Sequence, residues 1–327
     1  MSGRVTLADV AAEAGVSVAL VSIVMRGVPG ASDATRERVR DVADRLGYRP
    51  DARARLLRSG RSRLLGVVFG VEYAYQGELV AGLYAAAEKL GYEIVLSATT
   101  PARDERAAVA DLLNDRCEAL VLIGSQPPSD LTGREDVPPV VVLAHASEVA
   151  GVDVVRTDDR AGLRLAVDHL VGLGHTRIAH VDGGRSPAAA DRRRGYRAAM
   201  AAHGLRDAAL VLPGGATEAD GAAAAQALLA ADVTAVTVFN DRCATGVLDA
   251  VRRAGRAVPE GLSVVGYDDD RLARLSHVDL TTVAQDTARM TELAVRRAVE
   301  RIEGETVTEP DVVIPPRLVV RGTTTRR

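Results

Sequence analysis

Residues 5–57 read VTLADVAAEAGVSVALVSIVMRGVPGASDATRERVRDVADRLGYRPDARARLL, and the spacing of their apolar residues predicts three short helices. Thr6 is placed to cap the first helix, and Gly15 is placed to end it. Ser17 can cap a second helix that begins at once, and a third helix begins near Ser32. Two short helices across a tight glycine turn, supported by a third, predict a helix-turn-helix unit.

The alternative for this stretch is an ordinary three-helix piece of a larger hydrophobic core, and the distribution of charge argues against it. Residues 1–63 contain 12 Arg and 7 Asp or Glu, whereas the whole chain has a net charge of −3, so the remainder is acidic. A basic segment joined to an acidic body is typical of a nucleic-acid-binding domain attached to a second domain.

The segment after the third predicted helix, YRPDARARLLRSGRSR at 48–63, is strongly basic. Asp51 can cap a short helix that runs through Leu57. One interpretation is a solvated linker, and the other is a hinge that becomes ordered when DNA neutralises its arginines. We therefore assign residues 1–49 to an all-α headpiece and residues 50–63 to a hinge helix and linker.

From Leu64 onward, apolar runs of strand length alternate with helix-like segments. This alternation predicts an α/β domain over 64–327, with parallel sheets covered on both faces. We expect two lobes, 64–157 and 158–284, and we expect the final strands in VVIPPRLVVRG at 312–322 to cross back and complete the first lobe. Helices are predicted at 77–90, 103–114, 160–173, 188–203, 218–231, 243–254 and 286–303.

The composition places the chain among ordinary globular proteins, with 47% hydrophobic and 26% charged residues. Cys117 and Cys243 lie far apart and form no ligand cluster, so we predict two buried free thiols in a reducing compartment. The first residues lack the apolar core of a signal peptide, and no apolar run is long enough to span a bilayer. The prediction is a cytoplasmic protein with no membrane partner.

Polar side chains follow several of the predicted strands, where open α/β sheets bind their ligands. An arginine, an acid and an amide at such a place can bracket a polyol through paired hydrogen bonds. For each residue taken alone, capping of the next helix is the alternative, and the shared location favours a ligand site. The residues at strand ends or at a neighbouring helix start are Asp158, Asp159, Arg192, Arg193, Arg194, Asn240, Asp241, Asp268, Asp269 and Gln285.

Signatures of catalysis are lacking in the sequence. There is no Walker loop, no G-x-S-x-G elbow, no H-E-x-x-H motif and no G-x-G-x-x-G after a strand. The six histidines form no metal pattern, and an acidic run such as Asp268–Asp270 is more often solvated or capping than metal-binding. We therefore predict no enzyme activity, no cofactor and no metal site.

Several segments occur in a characteristic order: TLADVAAEAGVSVALVS, LGYRPDARARLLRSGRSRLLGVV, LGHTRIAHVDG, FNDRCATGVLDAVRRAGRAVPEGLSVVGYDD and PPRLVVRGTT. Together they resemble the LacI/GalR family of bacterial transcription factors over essentially the whole chain. The resemblance implies a homodimer that binds double-stranded operator DNA through an N-terminal headpiece. It also implies a two-lobed body, similar to periplasmic sugar-binding proteins, that holds a small effector between its lobes.

By position, the resemblance places the DNA-recognition helix at Val18–Met25 and gives Leu57 the role of an apolar wedge in the minor groove. Ile23 and Arg26 stand where many members have Arg and Asn, so we expect mainly apolar contacts to the bases. The residues assigned to DNA are Thr6, Ser17, Val18, Ala19, Leu20, Ser22, Ile23, Arg26, Arg53, Arg55 and Leu57.

For the effector, Arg192 precedes Gly195 and Tyr196 as the effector-binding arginine of the family does. Ala216 occupies a position where an aromatic side chain often stacks on the effector, so we expect a pocket that relies on hydrogen bonds. The residues assigned to the effector are Tyr75, Gln76, Asp158, Arg192, Asn240, Asp268 and Gln285.

The leading interpretation is a transcriptional repressor controlled by a small polar, sugar-like molecule. A solute-binding protein of a sugar transporter is the alternative; it would explain the body but neither the basic N-terminal segment nor the missing signal peptide. An enzyme built on a sugar-binding scaffold would need a nucleophile or an acid–base pair, and the sequence supports neither.

Overall fold

The computed structural model describes residues 5–25, 27–48, 61–128, 131 and 137–327. Contacts divide the chain into two units, residues 1–62 and 63–327. Four of the residues assigned to DNA lie outside the described residues, namely Arg26, Arg53, Arg55 and Leu57. The predicted hinge helix, from Asp51 through Leu57, lies outside them as well.

The headpiece contains three helices, Leu7–Ala14 (α1), Val18–Met25 (α2) and Asp33–Arg45 (α3). Thr6 caps α1 as predicted, because its hydroxyl accepts the N–H of Asp9 while the Asp9 carboxylate accepts the N–H of Thr6 at 2.7 Å. The turn after α1 needs a residue at positive φ, and Gly15 supplies it at 65°. The predicted helix-turn-helix unit is confirmed.

The headpiece core consists of small aliphatic side chains. Val10 and Ala11 of α1 pack against Val21 and Val24 of α2 and against Val39 of α3, and all five are buried.

Among the described residues no single helix could cross a membrane. The pair α1 and α2 would together meet the required length and composition, but it is bent by 105° at the short break between the helices.

The first lobe is built on a sheet in which every pairing is parallel, with the strand order β11-β5-β4-β3-β1-β2. Helices on both faces bury its aliphatic strands. The strands are Leu64–Gly70 (β1), Glu93–Thr99 (β2), Ala119–Ile123 (β3), Val140–Leu143 (β4), Asp153–Thr157 (β5) and Asp311–Ile314 (β11). The helices are Ala74–Lys89 (α4), Glu105–Asn114 (α5) and Thr287–Ile302 (α10).

The second lobe has a similar sheet with the strand order β12-β10-β9-β8-β6-β7. Only the edge strand β12 runs antiparallel to its neighbour β10 among the pairings described for this sheet. The strands are Ile178–Val181 (β6), Leu210–Leu212 (β7), Ala235–Val238 (β8), Ser263–Asp268 (β9), Thr281–Ala284 (β10) and Arg317–Val319 (β12). The helices are Asp159–Gly172 (α6), Ala189–Ala202 (α7), Glu218–Ala230 (α8) and Asp241–Arg253 (α9). The predicted fold class is confirmed.

The course of the C-terminal strands differs from the expectation. We expected both to complete the first lobe, and β11 does so by pairing with β5. The strand β12 instead pairs with β10 of the second lobe, so that half of the prediction was wrong. The segment beyond β12 stays in the second lobe, since the hydroxyl of Thr323 accepts the N–H of Thr281 at 2.9 Å and donates to the carbonyl of Val264. The pattern of apolar residues cannot select between two sheets that both offer a free edge.

Both cysteines are free and buried in the structure, as predicted. Burial raises the pKa of the Cys117 thiol to about 11 and that of the Cys243 thiol to about 12. Both thiols are therefore protonated and unreactive near neutral pH.

Helices α8 and α9 touch through their backbones. A Cβ atom on Gly246 of α9 would lie 2.0 Å from the carbonyl oxygen of Glu218, and one on Gly221 of α8 would lie 1.9 Å from that of Cys243. Only glycine, which has no Cβ atom, allows this close approach of the two helices.

We expect Gly246→Ala to destabilise the protein, because its methyl group would have to displace the backbone of α8. Such overpacking costs about 1–3 kcal/mol of the free energy of unfolding, which urea denaturation measures. Gly172→Ala is the matched control: it lies in α6 with no atom near the added methyl group, and it should be neutral or stabilising. Equal stability of the two variants would contradict this account of the α8–α9 contact.

Candidate functional site

Helix α2, the predicted recognition helix, presents an apolar surface. Val18 is 47% exposed, Ala19 is exposed, and Ile23 is half-buried outside the headpiece core. The methyl groups of Ile23 lie 3.4 and 3.7 Å from the point where a Cβ atom on Gly30 would sit, so one side of Ile23 rests against the turn before α3. This surface can offer methyl contacts to the groove of DNA, as the sequence predicts.

Two residues assigned to DNA have local capping roles. The hydroxyl of Thr6 is held by the Asp9 carboxylate at 2.7 Å, and the hydroxyl of Ser17 accepts the N–H of Leu20 at 3.2 Å, as predicted for a helix cap. Both are exposed at helix starts, while Leu20 and Ser22 are half-buried on α2. The structure thus gathers most of the assigned residues at α2 and sets Thr6 apart at the start of α1.

A cavity of about 60 Å³ lies between the two lobes of the body. Six of the seven residues assigned to the effector line it, namely Tyr75, Gln76, Arg192, Asn240, Asp268 and Gln285. Because residues of both lobes line it, the cavity is the candidate ligand site of the body.

Arg192 is the buried cation of this cavity, with 5% of its surface exposed. Its guanidinium group donates to Asp159 at 2.8 Å, to the carbonyl of Phe239 at 2.5 Å and to Asp268 at 3.4 Å, and it lies 3.6 Å from the ring centroid of Tyr267. Burial disfavours its charged form, but the two carboxylates outweigh that effect and raise the pKa of Arg192. The guanidinium group is thus a fixed charge held by its own protein.

Asp268 stands at the end of β9 and is 7% exposed. Its carboxylate accepts the Nε2–H of Gln285 at 2.8 Å. Burial raises the pKa of Asp268 to about 7, with Arg192 opposing and Asp270 adding to the increase. Near neutral pH this carboxyl group can therefore accept or donate a hydrogen bond.

Gln285 is oriented by both lobes. Its Oε1 accepts the hydroxyl of Thr157 at 2.6 Å, at the end of β5, while its amide donates to Asp268 at the end of β9. This relay joins the ends of two sheets across the cavity, as expected for ligand sites at the carboxyl ends of parallel strands.

Asp158 does not lie with the other six assigned residues. Its carboxylate caps α6 by accepting the N–H of Ala161 at 2.9 Å, and it borders a separate cleft that Arg160 and Asp191 also line. The neighbouring residue Asp159 contacts Arg192 instead. Consecutive residues at a helix start point in different directions, so the sequence could not decide which acid of the pair contacts Arg192.

Asn240 combines lining with capping. Its Oδ1 accepts the N–H of Cys243 at 2.8 Å, and its Nδ2 donates to the carbonyl of Ala216 at 3.1 Å. The capping alternative is therefore correct for Asn240, which nevertheless lines the cavity as assigned.

Aromatic side chains that were not predicted from the sequence also line the cavity. Tyr73 and Phe239 both line it, and Tyr73 packs against the buried cluster of Ala189, Ala216 and Phe239. Ring surface is thus present although Ala216 lacks it. The available signal was position: Phe239 precedes Asn240 at the end of β8, and Tyr73 lies at the start of α4, two residues before Tyr75.

Arg242 was also missed, and it bridges the lobes at the mouth of the cavity. Its Nε donates to Glu218 of the second lobe at 2.7 Å, and its Nη1 donates to the carbonyl oxygen of Glu72 in the first lobe at 2.7 Å. Separation of the lobes must break the second of these bonds.

A buried acidic residue next to the cavity, Asp241, accepts hydrogen bonds from neighbouring segments of the chain. Asp241 is fully buried; it accepts the hydroxyl of Thr282 at 2.6 Å and the N–H of Asp270 at 2.9 Å. Burial, with repulsion from Asp268 and Asp270, raises its pKa well above the ordinary value. Within the described part of the chain, no group of three or more His, Cys, Asp or Glu side chains could hold a metal ion.

The geometry agrees with comparisons to known proteins. Residues 6–51 match a family described as bacterial regulatory proteins, lacI family, and residues 167–324 match a periplasmic binding protein-like domain. The transcriptional regulator reg1 of Streptomyces lividans is 34% identical, covering 97% of this chain and 96% of that protein.

Two solved structures share the fold. A LacI transcriptional regulator from a Rhodococcus species is 50% identical, with a TM-score of 0.76 over 80% of this chain and 98% of that chain. The lac repressor dimer bound to operator and the anti-inducer ONPF is 28% identical, with a TM-score of 0.85 over 99% of this chain and 100% of that chain. The headpiece exposes the predicted recognition helix, the body has two lobes with a polar cavity between them, and the relatives match nearly the whole length of the chain. This chain therefore belongs to the LacI family of bacterial transcriptional regulators.

Proposed function

We propose that this regulator is a cytoplasmic repressor that binds an inverted-repeat operator as a homodimer and responds to a small, sugar-like effector in the cavity between its lobes. The observation that carries the proposal is the convergence of Arg192, Asp268 and Gln285 on one cavity in a chain that also bears a helix-turn-helix headpiece. A role as a transporter's solute-binding protein would leave the headpiece without a purpose.

The dimer follows from symmetry. Each chain supplies one recognition helix, and an inverted repeat offers two half-sites, so two chains are needed to occupy both. The operator-bound lac repressor, whose structure covers nearly the whole of this chain, is itself a dimer.

The chemistry of the cavity favours a neutral polyol as the effector. The carboxyl group of Asp268 and the amides of Asn240 and Gln285 supply hydrogen-bond partners, while Tyr73 and Phe239 offer ring faces for the apolar side of a sugar. The guanidinium group of Arg192 is already paired with two carboxylates, which weakens its attraction for an anionic ligand.

We propose that effector binding changes the spacing of the lobes. The bond from Arg242 to the carbonyl oxygen of Glu72 joins the lobes beside the cavity, so a ligand that moves the lobes apart breaks it. A ligand that binds the separated lobes better than the closed ones shifts the population toward the separated state. We propose that this shift is the signal passed to the headpiece.

We expect the full-length protein to bind an inverted repeat upstream of its own gene or a neighbouring gene as a dimer. Affinity should fall steeply with salt, because each arginine–phosphate contact releases counterions and adds about −0.9 to the slope of log K against log salt concentration. Gel-shift titration at several salt concentrations measures both, with scrambled DNA of equal composition as control. Failure to prefer any inverted repeat at low salt, with or without sugars, would reject the operator proposal.

We expect Ile23→Arg to change the base preferred at one position of the half-site toward guanine. An arginine can bond O6 and N7 of guanine, which is worth about 1–3 kcal/mol of discrimination, whereas isoleucine can only contact a thymine methyl group. Selection from random DNA measures the preference. Ala12→Arg adds the same charge on the exposed surface of α1 and should leave base preference unchanged. If Ile23→Arg selects the same bases as the wild type, Ile23 does not read the operator.

We expect Asp268→Asn to weaken sugar binding about ten- to a hundredfold. A hydrogen bond to a charged group is worth about 1.5–3 kcal/mol, and the asparagine keeps the shape but not the charge. Calorimetric titration at pH 8, above the pKa of about 7, keeps the wild-type carboxylate ionised. Glu148→Gln makes the same chemical change in the separate cleft and should have no effect. Equal sugar affinity for Asp268→Asn and wild type would remove Asp268 from the effector site.

A further inference from the structure

The backbone that carries Asp268 has an uncommon conformation. Asp268 has a φ of 111° and Asp269 has a φ of 54°, two consecutive residues in a region that side-chain-bearing residues seldom adopt. Such a turn persists only where the surrounding structure fixes it. The residues that hold this turn therefore decide where the Asp268 carboxylate points.

Asp269 is the residue that the surroundings hold most firmly. It is 4% exposed and does not line the cavity. Its carboxylate accepts hydrogen bonds from Arg321 at 2.5 Å and from Arg274 at 3.3 Å, and Arg317 lies 3.8 Å away. Arg274 also donates to the carbonyl oxygen of Asp269 at 2.7 Å, so both its side chain and its peptide group are held.

The following residue is fixed from the opposite side. The N–H of Asp270 donates to the buried carboxylate of Asp241 at 2.9 Å, and the Asp270 carboxylate accepts the N–H of Leu272 at 2.8 Å. With Asp269 and Asp270 both held, the Asp268 carboxylate is directed toward Arg192 and Gln285.

Arg321 is itself anchored in the C-terminal segment. Its Nη1 donates to the carbonyl of Leu280 at 2.8 Å, and its backbone N–H donates to the hydroxyl of Thr281 at 2.9 Å. It follows β12, which begins three residues after β11 of the first lobe ends. The segment that follows the crossover between the lobes therefore contacts, through Arg321, the turn that carries Asp268.

We propose that Arg321 is a positioning residue of the effector cavity, which aims the Asp268 carboxylate by holding Asp269 from the C-terminal crossover. The inference rests on the proposed function only where it names the cavity as the effector site.

The test is the titration of Asp268 in the full-length protein without any added sugar. Aspartate labelled with ¹³C at the carboxyl carbon gives one signal per residue, and the Asp268 signal is the one lost in Asp268→Asn. Burial should place the wild-type pKa at about 7. In Arg321→Gln the carboxylate should leave its buried place, and its pKa should fall toward the ordinary value of about 4.

Three further variants separate positioning from a general loss of stability. Arg321→Lys keeps a donor toward Asp269 and should retain most of the raised pKa. Arg326→Gln removes an exposed arginine of the same C-terminal segment and should leave the titration unchanged. Arg274→Gln removes the donor to the Asp269 carbonyl and should lower the pKa in the same direction, which keeps the test available if Arg321→Gln fails to fold.

An Asp268 pKa that stays at the wild-type value in folded Arg321→Gln would overturn the proposal, and so would an unchanged value in folded Arg274→Gln if Arg321→Gln does not fold. An equal fall in Arg326→Gln, or a wild-type pKa near 4, would overturn it as well. Because no ligand is used, these outcomes are independent of whether the cavity binds a sugar, which the calorimetric experiment decides separately.

Discussion

The pairing of the buried Arg192 guanidinium group organises the body of this protein. A charge at 5% exposure is tolerated only when its partners compensate for lost hydration, and removal of one partner from such a buried pair typically costs about 3–5 kcal/mol. The partners come from different elements: Asp159 from the start of α6, the carbonyl of Phe239 from the end of β8, and Asp268 from the end of β9. One side chain of α7 thus fixes the relative positions of four elements at the edge of the cavity.

The same pairing limits what the cavity can recognise. Three N–H groups of Arg192 already donate to its own protein, so carboxyl, amide and aromatic groups supply much of the remaining lining for a ligand. Gln285 extends the network to Thr157 of the first lobe, and Arg242 contacts Glu72 across the mouth. Polar contacts between the lobes therefore surround the site where a ligand must enter. Under the proposed function, a ligand exchanges these contacts for its own, which couples occupancy of the cavity to the spacing of the lobes.

The headpiece is stabilised mainly by apolar packing and helix capping. Its core is made of valine and alanine side chains, and each helix start is fixed by a hydroxyl group at Thr6, Ser17 or Ser32. The outer surface of α2 offers methyl groups where hydrogen-bond donors are common in DNA-reading helices. Recognition built on such a surface depends on shape and on contacts to thymine methyl groups more than on hydrogen bonds to base edges.

Much of this architecture was determined by the sequence alone. The spacing of apolar residues predicted the headpiece helices, and the caps at Thr6 and Ser17 followed from local chemistry that involves only neighbouring residues. The alternation of strand-like and helix-like segments predicted two parallel sheets, because this pattern too is formed by residues close together in the sequence. Positions at strand ends located Asp268 and Gln285, because parallel strands bring their carboxyl ends to one edge. Arg192, at a helix start, was located by its place before Gly195 and Tyr196.

Only the tertiary structure decided the features that depend on residues distant in the chain. It placed Asp159 rather than Asp158 beside Arg192, and it brought Tyr73 and Arg242 to the cavity from positions with no distinctive pattern. It also sent β12 to the second lobe, where Arg321 reaches Asp269. Packing between elements sets the direction of a side chain at a helix start and the sheet edge that a short strand joins. The periodicity of a single segment carries no information about either.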